Sequence, residues 1–123
     1  MKTYILKLLQ WVEKRWLGLT LVILAVVTVL SLWPLNEPPP VPGTDKTHHL
    51  IAYTALMLPT AIKRPKRWFW IGLLIISYSG MIELLQPFVN RHAEWLDLAA
   101  NTGGVLCALL LGWLLLVLFP DKN

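Results

Sequence analysis

Apolar residues run without a charge from Leu17 to Trp33. That length is close to the ~20 residues a helix needs to cross the hydrocarbon of a bilayer. Three further runs have the same character: Thr47 to Ile62, Trp68 to about Phe88, and about Leu98 to Phe119. The third contains Glu83 and Gln86, and the fourth holds Asn101 and Thr102 near its start. The pattern predicts four membrane-spanning helices over about 17–33, 47–62, 68–88 and 98–119. Lys14 and Arg15 precede the first run, but no small-x-small cleavage site follows it, since the chain continues Trp33-Pro34-Leu35. It is therefore read as a retained span and not a cleaved signal. Connections of about 5 to 10 residues flank the third run and suit antiparallel neighbours. Before the first run, Ile5, Leu8, Leu9, Val12 and Trp16 fall near helical spacing with lysines between them. Residues 1–16 are thus expected to form an amphipathic segment lying on the membrane surface. Five of the nine prolines lie between Pro34 and Asp45, which makes that loop an extended, stiff spacer.

Composition narrows the class. Of 123 residues, 56% are hydrophobic and 15% charged, and the mean hydropathy is +0.58. A soluble domain of this size buries only about two thirds of its chain surface and has no place for so much apolar area. Disorder and a disulfide scaffold fail on the same figures, with a single cysteine, Cys107, inside an apolar run. Eleven basic residues against seven acidic ones would suit nucleic acid, but they cluster beside the apolar runs, so no nucleic-acid partner is expected. Lys2, Lys7, Lys14, Arg15, Lys63, Arg64, Lys66, Arg67 and Lys122 fall on one side of the four-span scheme, and only Lys46 and Arg91 on the other. The positive-inside rule then places both termini in the cytoplasm. Trp11, Trp16, Trp33, Trp68, Trp70 and Trp95 stand near the span ends, as an aromatic belt requires. The expected fold is an all-α membrane protein: a bundle of four transmembrane helices over 17–119, a cytoplasmic amphipathic N-terminus over 1–16, and a cytoplasmic tail over 120–123.

Charged groups inside a span carry a penalty of about 2.5 to 3.5 kcal/mol at the helix centre and are functional suspects. Asp45, His49 and Tyr53 share one helix face, as do Ser79, Glu83 and Gln86, and as do Asp97, Asn101, Gly104, Ala108 and Gly112. The last stripe turns from polar to small residues, which allow helix backbones to approach closely in lipid. At 1.5 Å per residue, Glu83 and Asn101 lie about 8 and 6 Å below the outer boundary of a ~30 Å core, and His49 about 21 Å above Lys63. The three levels nearly coincide and point to one polar chamber in the outer third of the bundle. Lys46 and Arg91 are expected at its rim.

Asp45-Lys46-x-x-His49-x-x-x-Tyr53, then Glu83-x-x-Gln86, Arg91 and Asp97-x-x-x-Asn101-x-x-Gly104, resembles the VanZ family of small bacterial membrane proteins. The resemblance covers about residues 45 to 112. His48 beside His49 and the proline-rich loop are particular to this chain, and which imidazole faces inward stays open. The resemblance implies a multi-pass protein of the bacterial cytoplasmic membrane. It also implies an association with resistance to lipoglycopeptides of the teicoplanin type, or with handling an amphiphilic, lipid-linked envelope component. The candidate ligand-binding set is His49, Glu83, Arg91, Asp97 and Asn101, with Asp45, Lys46, Gln86 and Tyr53 behind it. Arg91 and Lys46 suit phosphate or carboxylate, and Glu83 and Asp97 suit amide or amine donors.

Two other readings stay open. A membrane-embedded enzyme acting on a lipid phosphate or wall-precursor headgroup would use His49 as base, oriented by Asp45 or Glu83, with Ser79 and Thr102 the only near candidates for a nucleophile. A structural bundle would use the polar groups as interhelical hydrogen bonds. His49, Glu83 and Asp97 lack the tight local spacing of a known metal motif, so neither a metal nor another cofactor is expected. The partners expected are the bilayer and an amphiphilic or lipid-linked ligand. The pattern leaves the oligomeric state undetermined.

Overall fold

The computed structural model describes residues 1–33, 44–89 and 95–120. Its described residues form five helices: α1 (Lys2–Lys14), α2 (Trp16–Leu32), α3 (Thr44–Lys63), α4 (Trp68–Leu85) and α5 (Trp95–Leu118), with a 3-10 turn over Gln86–Val89 after α4. The proline-rich loop over 34–43 and Arg91 lie outside the described residues. Two helices, α4 and α5, are long and apolar enough to cross a membrane, and a third span arises if α1 and α2 are taken together. The expected boundaries shift in two places. Helices α3 and α5 begin three residues earlier than the apolar runs, at Thr44 and Trp95. Their polar first turns are helical because α3 and α5 support each other there, although neither turn is apolar enough to signal a span.

α1 and α2 meet at Arg15 with a bend of 77°. Arg15 leaves helical geometry there, at φ −113° and ψ 22°. Its guanidinium stacks 5.1 Å over the Trp11 ring, and its N–H still bonds to the Trp11 and Val12 carbonyls. α1 buries Leu9, exposes Lys2, Lys7 and Lys14, and is tied to the end of α3 by Lys63 Nζ at 3.9 Å from Glu13 Oε1. The basic residues of α1 and of the 63–67 connection are therefore gathered at one end of the bundle. α3 ends at Lys63 because Arg64 adopts a left-handed φ of 50° and Pro65 follows.

The main seam joins α3 to α5. At Gly104 an added Cβ would lie 2.6 Å from the Leu50 carbonyl oxygen and 2.9 Å from the Thr54 nitrogen. At Gly112 it would lie 2.7 Å from the Ala61 Cβ. Ala108, between them, is fully buried. Both contact positions advance together, so α3 and α5 run parallel. α2 and α4 also run parallel, because Thr28 hydrogen-bonds Tyr78 and Gln86 Nε2 donates to the Ser31 carbonyl. Tyr53, Leu56, Met57, Ile75, Val105 and Ala108 fill the centre, with Val27 from α2. Leu30, Leu74, Leu84, Leu106 and Leu110 point outward, each at least 60% exposed. An apolar wall of this extent suits lipid and not water.

Candidate functional site

The parallel α3–α5 seam brings the first turns of both helices side by side. Lys46, His49 and Tyr53 fall at i, i+3 and i+7 on the seam face of α3. Asp97, Asn101 and Gly104 fall at i, i+4 and i+7 on the facing side of α5. The close approach at Gly104 allows these polar side chains to meet. Lys46 Nζ lies 3.0 Å from Asp97 Oδ1, and His49 Nδ1 lies 3.0 Å from Asn101 Oδ1. His49 Nε2 stands 3.9 Å from Asp97 Oδ2. A carbonyl oxygen only accepts, so Nδ1–H donates to Asn101, and Nε2 is the ring nitrogen that faces the carboxylate. The Asp97 side chain is 3% exposed and that of His49 13%.

α4 supplies the third side. Both oxygens of Glu83 are buried, and one ligand atom from each of His49, Glu83 and Asp97 lies within 4.8 Å of the others. Three residues that share no local motif therefore meet across three helices. His49 is the imidazole in the cluster, while His48 is exposed. Arg91 and the side chain of Asp45 lie outside the described residues. Tyr53 is buried in the core beneath, and its hydroxyl has no hydrogen-bond partner among the described residues. Gln86 takes a different course. Although it shares a helix face with Glu83 in sequence, its amide reaches the end of α2 and holds Ser31 at 3.0 Å. It joins helices there, and Gln86→Met is expected to lower stability by no more than about 1.7 kcal/mol, the upper end for such bonds in membranes. Thermal unfolding in detergent checks this.

Beside the cluster, a cavity of about 330 Å³ opens between α2 and α3, lined by Val27, Leu30, Ser31, His48, His49, Ala52 and Tyr53. Its walls are mainly apolar, with the two imidazoles along one side. The pattern along the chain named no site residue in the first span, so the contribution of α2 was not expected. The available signal was Thr28 and Ser31, two hydroxyl residues three apart near the end of a mostly aliphatic run. Ser79 and Thr102, the two candidate nucleophiles, each donate to a carbonyl of their own helix, Ile76 at 2.7 Å and Leu98 at 2.9 Å. Neither hydroxyl is paired with His49, as an activated nucleophile would be.

A family model described as VanZ/LLP1 matches residues 6–119. No curated protein and no solved structure matches the chain. The match takes in all of α2 to α5 and therefore every residue of the cluster, and the chain belongs to the VanZ/LLP1 family.

Proposed function

We propose that the protein holds the polar headgroup of an amphiphile in the chamber formed by Lys46, His49, Glu83, Asp97 and Asn101. Its apolar portion would lie in the cavity between α2 and α3. The observation that carries this reading is the placement of a buried charged cluster directly beside a cavity with mostly apolar walls. An amphiphile has the same division. Lys46, with its side chain 28% exposed, is positioned to meet an anionic group entering from outside. In this reading the helices α2 to α5 cross the cytoplasmic membrane alternately, with both termini inside. The alternating directions of the four helices support it, as does the gathering of basic residues at the end of the bundle opposite the chamber. The ligand class is a lipid-linked envelope component or a lipoglycopeptide of the teicoplanin type, and resistance to the latter follows from capturing either. The two hydroxyls turned to their own helices favour binding over nucleophilic hydrolysis.

The test is teicoplanin susceptibility of a sensitive strain expressing the wild type or Glu83→Gln at matched membrane levels. Wild-type cells are expected to tolerate several-fold more drug, and Glu83→Gln is expected to lose most of that gain. Equal protection by both would reduce Glu83 to an interhelical contact and remove it from the site.

A further inference from the structure

We propose that His49 Nε2, Asp97 Oδ2 and a Glu83 oxygen form a binding site for one divalent first-row cation, Zn²⁺ or Mn²⁺. The site deepens the headgroup reading, because a bound cation would offer open positions to an anionic headgroup. It does not depend on that reading, since it rests on the donor geometry alone.

Three observations support the site. First, the three donors converge from three helices to within 4.8 Å. A tetrahedral metal 2.0–2.2 Å from each donor needs donor separations of about 3.3 to 3.6 Å, and the 3.9 Å between His49 Nε2 and Asp97 Oδ2 is only slightly longer. Closing the remainder takes side-chain movements below about 1.5 Å. Second, His49 is already oriented as a metal ligand would be. Its Nδ1–H is held by the Asn101 side-chain carbonyl at 3.0 Å, which fixes the ring and turns Nε2 into the cluster. Third, Tyr53 stands one helical turn along α3 from His49 and is 1% exposed, and its buried hydroxyl has no hydrogen-bond partner among the described residues. A metal-bound water is a natural partner for it.

The charges balance as well. Lys46 occupies Asp97 Oδ1 at 3.0 Å and leaves Oδ2 for the metal. With Glu83 and Asp97 ionised, His49 neutral and Lys46 protonated, these four groups carry a net charge of −1, and a divalent cation inverts it to +1. One nitrogen and two carboxylate donors suit Zn²⁺ or Mn²⁺ better than soft Cu(I).

The experiment uses the full chain, purified in detergent with a histidine-free tag, stripped with chelator and then exposed to Zn²⁺ or Mn²⁺ alone. Metal retained through desalting is counted per chain. We expect about one Zn²⁺ per chain, with Mn²⁺ bound more weakly in keeping with the Irving–Williams order. His49→Ala and Asp97→Asn should each weaken uptake more than 10-fold, while His48→Ala should not. Asn101→Leu should weaken it 10- to 100-fold by releasing the His49 ring. Wild-type protein that retains neither cation, or His49→Ala that retains as much as wild type, overturns the proposal. If His49→Ala fails to fold, Co²⁺ loaded into the wild type decides. Visible bands that Zn²⁺ abolishes support the site, and their absence overturns it. A wild type that protects cells from teicoplanin yet takes up no cation leaves the headgroup reading standing. One that takes up a cation without protecting cells overturns that reading and keeps the metal.

Discussion

Gly104→Leu should leave almost no folded protein in the membrane. The first atom of any side chain at this position meets backbone: the Leu50 carbonyl oxygen at 2.6 Å and the Thr54 nitrogen at 2.9 Å, with the Tyr53 Cβ at 3.0 Å. A flexible side chain could turn aside, but a helix backbone cannot, so α3 and α5 have to separate. Overpacking in a well-filled interior typically costs about 1 to 3 kcal/mol, occasionally more. Gly104→Ala is expected in that range and Gly104→Leu beyond it. Separation would also pull Lys46 and His49 away from Asp97 and Asn101, so binding should fail together with stability. Gly18→Ala is the matched control. Nothing lies within 4 Å of its added Cβ, and the gain in helix propensity makes it neutral or stabilising by up to about 1 kcal/mol. Protein accumulation and the thermal midpoint in mild detergent distinguish the two. Normal accumulation of Gly104→Leu would refute the α3–α5 seam as described.

Lys46→Met should destabilise the protein more than Asp97→Asn, although both break the same contact. Asp97 is 3% exposed at its side chain and Lys46 28%. Removing the lysine leaves a carboxylate buried near a second one, Glu83, and an uncompensated buried charge costs about 3 to 5 kcal/mol. Removing the aspartate charge leaves an ammonium on a long stem that can swing toward water. The double variant Lys46→Met with Asp97→Asn should recover part of the loss, with a coupling of about 1 to 3 kcal/mol. Thermal unfolding of the four proteins measures the cycle. Equal losses in the two single variants, with no coupling, would mean that the 3.0 Å contact contributes nothing.

Much of this protein was legible from its hydrophobic pattern, because lipid imposes a simple rule on a chain. Backbone polar groups in hydrocarbon have to be satisfied within the segment, so a long apolar run such as 68–88 or 98–119 has few choices besides helix. The stripe of Asp97, Asn101, Gly104, Ala108 and Gly112 was readable for a related reason. Helical spacing puts these residues on one face, and small residues on a face mark a close neighbour. All five are buried. The common level of His49, Glu83 and Asn101 followed from counting rise per residue, and the 3.0 Å contact between His49 and Asn101 agrees with it.

Spacing along the chain said nothing about which helix α5 would choose as its partner, or which histidine would turn inward. Both depend on the rotation of α3 about its axis, which is set by the fit of Gly104 against Leu50 and Gly112 against Ala61. The same face pattern grouped Gln86 with Glu83, but Gln86 lies beside the end of α2, and its amide bonds to the Ser31 carbonyl there. The polar first turn of α3 resembled a loop by hydropathy, and it is helical because α5 supports it. The meeting of His49, Glu83 and Asp97 is the strongest case. They come from three helices, and no local motif announces them. The sequence by itself determined that the chain is helical, that it suits a membrane, and which faces carry polar or small residues, since each follows from solvent and helical period alone. The tertiary structure alone decided which polar faces meet and which donors converge, because that depends on helix rotation fixed by contacts between residues distant in the chain.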